Sequence, residues 1–126
     1  MREILFRGKR VDNGEWIEGY YTNIGKEWHY ILTGKLIIGL TGMGFEREEV
    51  IHETVGQFTG LTDKNGKKIF EGDIVKYENK IYEIKYLEKY ARFAPSNEHS
   101  IFMVCAFNRL EVVGNIHDNP GLMRGE

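Results

Sequence analysis

The stretch from Thr62 to Tyr77, TDKNGKKIFEGDIVKY, decides the predicted fold of this chain. Its first part has the residues of a type I turn that ends in a glycine of positive φ, because Asp bonds back to the backbone and Gly tolerates the left-handed region. The segment EGD then reverses the chain into the alternating run IVKY. The stretch therefore predicts a hairpin tip followed by a further strand. The residues with this structural role are Asp63, Asn65, Gly66 and Gly72.

Downstream of this turn, polar and apolar residues alternate with the period of two that is typical of strands. The runs DIVKYE and IYEIKYL predict two strands, the second with Tyr82, Ile84 and Tyr86 pointing inward. The run LEVVGNI predicts another strand, and IFMVCAF, apolar on both faces, predicts a central one. Residues 88–100 predict a polar connection, and residues 117–126 a terminal tail. This pattern is typical of a small barrel or rolled sheet, because closure removes exposed edges.

Upstream of the turn, the period is also mostly two. The runs EILFR, EWIEGYY, WHYIL and KLIIGL predict strands, with a hairpin at Asp12-Asn13-Gly14 and with Trp16 and Tyr20 on one face of EWIEGYY. The segment TGMG predicts a break, and FEREEVIHETV a strand that ends in a turn. We therefore expect a mainly β protein with little helix. Its expected division is an N-terminal β subdomain, residues 1–55, and a C-terminal barrel with its tail, residues 56–126, although one compact unit is also possible.

Two segments of the chain resemble each other. FRGKRVDNGEWIEGYY and FTGLTDKNGKKIFEGDIV both run from Phe-x-Gly through an Asp-bearing Asn-Gly turn to an apolar pair and Glu-Gly. We interpret them as two similar hairpins, one opening each half of the chain. Turn chemistry recurs often, so the alternative is chance similarity of turn-rich segments.

The composition excludes several classes of protein. The 126 residues include 41% hydrophobic and 13% aromatic residues, enough for a folded core, and the net charge of −2 does not favour nucleic acid or anionic membranes. One cysteine, Cys105, excludes an internal disulfide and is expected to be a small core residue in a reducing cytosol. The start MREILFRGKR lacks a secretion signal, and no run has membrane-spanning length. We therefore expect a cytoplasmic protein without membrane partners.

The chain has no sequence motif of a phosphate-binding loop, a zinc protease or a serine hydrolase. One constellation is a weak candidate for metal-dependent hydrolysis, because carboxylates and a histidine can hold a divalent ion and activate water. It predicts convergence of Glu71, Asp73, His117 and Asp118. The competing interpretation of HDNPG is a strand-exit turn with capping Asp and Asn side chains. We predict no catalytic residues, no metal and no cofactor.

Basic residues cluster with aromatic residues at two places in the sequence. If the two similar hairpins are neighbours, their cations form one patch beside Phe6, Trp16 and Phe70. Small β-barrels bind single-stranded nucleic acid with such patches, through phosphate pairing and base stacking. Lysines at a hairpin tip also serve solubility and edge protection, which is the simpler interpretation. The candidate nucleic-acid or partner-binding residues are Arg7, Lys9, Arg10, Lys64, Lys67 and Lys68.

Three segments resemble the YopX family, which bacteriophages and bacterial prophages encode. They are TVGQFTGLTDKNGKKIFEGDIV from Thr54 to Val75, EVVGNIHDNPGLM from Glu111 to Met123, and the opening FRGKRVDNGEWIEGYY. The resemblance implies a mainly β protein with an SH3-like barrel in its C-terminal part, a phage or prophage origin in a bacterial host, and self-association. From the strand pattern of the first half, we expect its N-terminal strands to pack on that barrel or to extend it. The resemblance implies no reaction. Family members often carry an aromatic residue where this chain has His117, which weakens the case for a histidine-dependent site.

From these observations we predict a phage or prophage accessory protein of the YopX family that is not an enzyme. The abundance of turn chemistry and aromatic residues, without a catalytic set, favours a β-barrel binding or self-associating module. Its partner is an unknown protein or a second copy of the chain. Single-stranded nucleic-acid binding is the first alternative, and metal-dependent hydrolysis the second.

Overall fold

The computed structural model describes residues 3–39, 42–103 and 106–124. These residues form strands and short 3-10 helical turns, so the prediction of a mainly β protein with little helix is confirmed. The strands are β1 Phe6–Lys9, β2 Trp16–Ile24, β3 Trp28–Gly39, β4 Gly42–Glu49, β5 Gly56–Thr62, β6 Lys68–Phe70, β7 Asp73–Tyr77, β8 Lys80–Leu87, β9 Arg92–Ser96 and β10 Glu111–Asn115. The 3-10 turns are η1 His52–Thr54, η2 Glu88–Tyr90, η3 Phe107–Arg109 and η4 Leu122–Arg124.

The chain divides into two compact units between Gln57 and Phe58. In the first unit, antiparallel strands lie in the order β4-β3-β2-β1, and the first residues of β5 pair with β1. The buried side chains of this unit include Ile31 and Val50. Gly8 on β1 makes room for Val50, because a Cβ at Gly8 would lie 3.1 Å from the Val50 Cβ.

In the second unit, the remainder of β5 pairs with β6, and four strands form an antiparallel sheet of order β10-β7-β8-β9. Alternate positions of β7 and β8 supply its core, as the period of two requires. The 3-10 turn η3 and the residue after it add further apolar side chains. The buried core cluster consists of Ile69, Val75, Tyr82, Ile84, Phe107 and Leu110.

The predicted closed barrel is wrong. Strands β9 and β10 are the two edges of an open sheet, and the described strands of the second unit form no closed barrel.

The predicted central strand at residues 101–107 is wrong for the residues of that segment that the structure describes. Ile101 makes a single bridge to Ser96, and Phe107 reaches the core from a 3-10 turn. Burial of Phe107 therefore did not require a strand. Cys105 lies outside the described residues. The SH3-like character, and the packing of N-terminal strands on this unit, stay predictions.

The predicted polar connection at residues 88–100 contains edge strand β9, which includes Pro95. An edge strand tolerates proline because one side of it needs no N–H donor, so a segment that resembles a loop can still pair. Two strands predicted from WHYIL and KLIIGL are one strand, β3, with an irregularity between Leu32 and Leu36. The predicted break TGMG is wrong at Gly42–Gly44, which belong to β4.

The other predicted strands of the second half are confirmed as β7, β8 and β10. The prediction that FEREEVIHETV is a strand ending in a turn is confirmed by β4 and η1. The inward direction of Tyr82 and Ile84 is confirmed, whereas Tyr86 is 43% exposed. The predicted terminal tail contains a turn and η4. No helix within the described part of the chain has the length and apolar character needed to cross a membrane.

Candidate functional site

One surface of the first unit is defined by the register of its four strands. Residues opposite each other in antiparallel strands share a face, and alternate residues along a strand share it too. The pairs Lys9↔Trp16, Tyr20↔Leu32 and Tyr30↔Glu49 therefore connect one face across β1, β2, β3 and β4. We call this surface the outer face. It consists of Arg7, Lys9, Trp16, Glu18, Tyr20, Thr22, Ile24, Trp28, Tyr30, Leu32, Arg47 and Glu49.

The outer face carries large apolar side chains that are open to solvent. Tyr20 is 62% exposed, Ile24 53% and Trp28 50%. The solvent face of an antiparallel sheet is usually polar, because only the other face packs on the core. Contiguous exposed apolar side chains with a polar rim are typical of an interaction site. The outer face is therefore our candidate functional site.

Cations of the outer face lie over its aromatic rings. The Arg7 Cζ is 4.6 Å, and the Lys9 Nζ 5.5 Å, from the centroid of the Trp16 ring. On the neighbouring strands, the Arg47 Cζ lies 4.7 Å from the Tyr30 ring. Cation–π attraction of this kind positions both partners, because the cation is drawn to the negative face of the ring.

The opposite face of the same strands carries the buried and packed side chains that stabilise the sheet. Ile31 is fully buried there, and Tyr21 contacts Phe6 with ring centroids 5.7 Å apart. The Tyr21 Oη is 2.6 Å from the His29 Nδ1, and the His29 ring stacks on His52 at 4.2 Å. Burial raises the pKa of the Tyr21 phenol above its ordinary value. This column of rings fixes the backbone on which the outer face is displayed.

The six predicted basic residues are distributed between the two units. Arg7 and Lys9 belong to the outer face, whereas Arg10 comes one residue later and points to the opposite face. The Arg10 Nη2 is 2.8 Å from an Asp12 oxygen and 3.2 Å from a Glu48 oxygen. The hydrogen bond to Asp12 raises the pKa of Arg10, against the lowering effect of burial. Two carboxylates thus offset the charge that Arg10 was expected to offer to phosphates.

The other three cations lie in the second unit. Lys64 and Lys67 are exposed on the turn between β5 and β6, and Lys68 begins β6 with its Nζ 6.0 Å from the Phe58 ring. The formation of one patch by all six cations stays a prediction.

The turn between β5 and β6 is organised by the buried carboxylate of Asp63. Its Oδ1 accepts hydrogen bonds from the backbone N–H groups of Asn65 and Lys67, and its Oδ2 accepts one from Val112, 2.9 Å away in β10. The Lys64 N–H also donates to the Leu110 carbonyl oxygen at 2.9 Å. Burial raises the pKa of Asp63, but the three N–H donors outweigh it and hold the pKa below its usual value. Asp63 therefore ties this turn to a strand that lies far along the sequence.

Both glycines that were predicted to have a structural role in this stretch have positive φ: Gly66 at 80° and Gly72 at 90°. Asn65 precedes Gly66 on the exposed tip of the turn, and its backbone N–H is one of the three donors to Asp63.

The residues proposed for metal-dependent hydrolysis have backbone contacts instead. The Asp73 carboxylate accepts a hydrogen bond from the Phe70 N–H at 2.7 Å. The Asn115 Oδ1 accepts from the N–H groups of His117 and Asp118, and its Nδ2 donates to the Asp118 carboxylate at 3.1 Å. Within residues 3–39, 42–103 and 106–124, no three His, Cys, Asp or Glu side chains lie together so that they could hold a metal ion. The convergence that the hydrolase hypothesis required is therefore absent there.

A shallow cleft of about 260 Å³ lies in the second unit. Phe102 contacts Tyr77 and Tyr82 in its wall, with ring centroids 5.3 and 5.8 Å apart. Tyr82 is buried, and Ile101 at the rim is 46% exposed. These residues mainly cover the core of the β7-β8-β9 sheet. The other lining residues are Glu78, Lys80 and Ser100.

Comparison with known proteins identifies the family of the chain. The model of the YopX protein family matches residues 5–124, nearly the whole chain. The chain belongs to the YopX family. A solved structure, protein EF1440 from Enterococcus faecalis, is 25% identical to this YopX-family chain with a TM-score of 0.60, over 98% of this chain and 99% of that one. The search of curated proteins found no significant match.

Sequence reasoning predicted one part of the outer face and missed the rest. The placement of Trp16 and Tyr20 on one side of EWIEGYY is confirmed by the register of β2. The contribution of Trp28 and Arg47 was missed. Their place on this face depends on which strands pair and in what register, and the sequence does not show either. The alternation in WHYIL and FEREE was the available signal, because it places Trp28 with Tyr30, and Arg47 with Glu49, on one face of each strand.

Proposed function

We propose that this YopX-family protein is a non-enzymatic binding module whose outer face engages another protein or a second copy of the chain. The observation that carries the proposal is the exposure of Tyr20, Ile24 and Trp28 on one sheet face. Tyr, Trp and Arg are the residues that most often dominate binding energy at protein interfaces. A role as a phage or prophage accessory protein in the bacterial cytoplasm is part of the same proposal, supported by the family membership.

The test compares the native chain with a double variant, Tyr20→Ser and Trp28→Ser, as bait in extracts of cells that carry the gene. Proteins retained on each bait, including untagged copies of the chain, are quantified by mass spectrometry. We expect at least one species to be retained by the native chain and lost with the double variant, because truncating central aromatic anchors removes most interface energy. Tyr90→Ser is the matched control, since Tyr90 is 51% exposed on η2 in the second unit.

The control should retain the same species as the native chain. Retention of every species by the double variant would exclude the outer face as the binding surface. Circular dichroism of each purified variant establishes that the fold is unchanged.

A second candidate function is binding of single-stranded nucleic acid by the same face. The favouring observation is that Arg7, Lys9 and Arg47 lie on the face that presents the aromatic rings. Exposed rings can stack on bases while cations pair with phosphates. Against it, Glu18 and Glu49 share the face and repel phosphates.

A salt titration with a labelled oligonucleotide tests this second candidate. Three phosphate contacts predict a slope of about −2 in log affinity against log salt, and Arg7→Ala should reduce the slope by roughly 0.7. Absence of binding at low salt would exclude this function.

A further inference from the structure

We propose that Asn65, on the exposed turn between β5 and β6, is a site of spontaneous deamidation, whereas Asn13, on the turn between β1 and β2, is protected from the same reaction. The chain has two Asn-Gly sequences, Asn13-Gly14 and Asn65-Gly66. Asparagine before glycine is the sequence most open to this reaction, because glycine has no Cβ to crowd the backbone nitrogen that attacks. The inference is independent of the outer face and of the function proposed for it.

The reaction needs only the chain and water. The Gly66 backbone nitrogen attacks the side-chain carbonyl carbon of Asn65, so that a new C–N bond forms and the C–N bond of the side-chain amide breaks. The leaving group takes the proton of the attacking nitrogen and departs as ammonia, which leaves a succinimide ring. Water then adds to one of the two ring carbonyl carbons and opens the ring, to aspartate or to isoaspartate.

The two asparagine side chains differ in how firmly they are held. The Asn13 Oδ1 accepts a hydrogen bond from the Glu15 N–H at 2.9 Å, and this bond must break before the side chain can turn toward the Gly14 nitrogen. The Asn65 side chain has no hydrogen-bond partner among the described residues. Both asparagines are exposed. In each turn the glycine N–H donates to a backbone carbonyl, at 2.9 Å for Gly14 and 3.0 Å for Gly66, so that contact does not distinguish them.

The charges around the two turns also favour reaction at Asn65. Attack by an amide nitrogen builds negative charge on the nitrogen and then on the carbonyl oxygen, so nearby cations lower the barrier and nearby anions raise it. Lys64 and Lys67 are exposed on the same turn as Asn65. Asn13 instead follows the exposed carboxylate of Asp12, which also pairs with the cation of that turn.

Isoaspartate at residue 65 changes the turn that Asp63 organises. Its main chain runs through the former side-chain carbons, so the backbone between residues 65 and 66 becomes longer by one carbon atom. The Asp63 Oδ1 accepts hydrogen bonds from the N–H groups of Asn65 and Lys67, which lie on either side of that extra atom. The two donors can no longer both reach the carboxylate with their native geometry, so the turn loses stability.

The experiment follows both asparagines in the purified full chain during incubation at mildly alkaline pH and low salt. Samples are digested at acidic pH, where the attack is suppressed, and the peptides that contain Asn13 and Asn65 are quantified by mass spectrometry. Chromatography separates the aspartate and isoaspartate products, which have the same mass. We expect Asn65 to deamidate about fivefold faster than Asn13 or more, because one ordinary hydrogen bond corresponds to a factor of this size.

Two controls separate the fold from the local sequence. In guanidinium chloride, which unfolds the chain and screens its charges, the ratio of the two rates should fall toward unity. In the folded chain, the double variant Lys64→Gln and Lys67→Gln should react about threefold more slowly at Asn65, as expected for unit charges several ångströms away in water, with no change at Asn13. Lys89→Gln is the matched control, because Lys89 is exposed on η2 rather than on this turn.

The effect on stability is measured on the aged chain. The form with isoaspartate at residue 65, purified by chromatography, should unfold at a lower denaturant concentration than the fresh chain. Asn65→Asp adds the negative charge without lengthening the main chain, so its unfolding midpoint should lie closer to that of the fresh chain.

Three outcomes overturn the inference. An Asn65 that stays intact, or reacts no faster than Asn13, excludes the site. A ratio of rates that persists in guanidinium chloride shows that the local sequence sets it, which excludes protection of Asn13 by its hydrogen bond. An isoaspartate form as stable as the fresh chain excludes the weakening of the turn.

Discussion

The β1–β2 hairpin of the first unit and the β5–β6 hairpin of the second have similar sequences, but the turn of the first is one residue longer. In the first, the Arg10 N–H donates to the Glu15 carbonyl at 2.9 Å and the Gly14 N–H to the Arg10 carbonyl at 2.9 Å. In the second, Asp63 takes the place of Arg10, with the corresponding bonds at 2.8 Å to Lys67 and 3.0 Å from Gly66.

The aspartates of the two turns have different roles. The Asp12 side chain is 64% exposed and pairs with Arg10 at the surface. Asp63 is 4% exposed and accepts three backbone hydrogen bonds, one of them from Val112. Water can replace the partners of Asp12 but has little access to those of Asp63. An Asp in a turn therefore becomes structurally essential when a distant strand covers it.

The glycines of the Glu-Gly pairs in the two similar segments also have different structural roles. Gly19 is needed for space, because a Cβ there would lie 2.1 Å from the Leu32 carbonyl oxygen. Gly72 is needed for conformation, with φ at 90°, and a Cβ there would meet only ordinary contacts, the nearest at 3.7 Å. Identical Glu-Gly pairs thus satisfy two unrelated physical demands.

The largest expected effect is that of Gly19→Ala. The added methyl group collides with a backbone carbonyl in the β2–β3 pairing, which cannot move without breaking the ladder. We expect a loss of about 3 kcal/mol or more in the free energy of unfolding, at the upper end of overpacking effects. Urea unfolding followed by the fluorescence of Trp16 and Trp28, both in the first unit, measures it.

Gly44→Ala is the control for this prediction. A Cβ at Gly44 has no atom within 4 Å, so its stability should be close to that of the native chain. Equal stability of the Gly19 and Gly44 variants would contradict the role of close approach.

The second effect is that of Asp63→Ala in the other hairpin. Three backbone donors lose their acceptor, and the Val112 N–H stays partly shielded from water. We expect a loss of about 3 kcal/mol in the free energy of unfolding, measured by denaturation followed by circular dichroism. Asp12→Ala, which removes the exposed aspartate of the first turn, should fall within the error of the same measurement, because exposed ion pairs contribute little. Similar losses for both aspartates would remove the distinction between the hairpins.

Gly72→Ala should have a smaller effect of about 1–2 kcal/mol, because an L residue with a side chain is strained at this positive φ. Gly72→Asn should cost less than Gly72→Ala, since Asn tolerates the left-handed region better. Comparing the loss in free energy of unfolding between Gly72→Ala and Gly72→Asn distinguishes conformational strain from crowding. If both substitutions cost the same, crowding against Ile116 would be the better explanation.

The smallest effect is the acid dependence of the Asp63 contribution. The pKa of Asp63 is lowered in the folded state, so the unfolded chain binds the proton more readily as pH falls. The stabilisation is therefore fully present above the ordinary pKa of about 3.9 and is lost as pH falls through the folded value. Unfolding curves from pH 7 to pH 3 should show the native chain approaching Asp63→Asn only below about pH 4.

Glu83 is an internal control, because its pKa is shifted upward and its contribution to stability therefore changes with pH in the opposite direction to that of Asp63. Burial raises its pKa, with a further increase from Glu71 and an opposing effect of Lys85. Protonation of Glu83 therefore favours the folded state as pH falls, and Glu83→Gln should remove that contribution. A constant difference between the native chain and Asp63→Asn down to pH 3 would contradict the lowered pKa of Asp63.

Local chemistry made the strand class and several strands predictable. The alternation in DIVKYE and IYEIKYL sets which side chains of β7 and β8 face the core, because the period of two is a property of the strand itself. The same reasoning failed at residues 88–107, where strand formation depends on pairing with segments elsewhere in the sequence. Pro95 is compatible with an edge position that no local pattern indicates, and Phe107 is buried without a strand.

The β class, the family and the positions of the turns could be read from the amino-acid sequence alone, since each depends on short runs of adjacent residues. Which positions are critical for stability or binding depends on contacts that form only in the folded chain. Val112 lies 49 residues from Asp63, and the outer face combines Tyr20, Trp28 and Arg47 from three strands. Register and burial arise from the pairing of distant segments, and a one-residue change in register would exchange the two faces of the sheet.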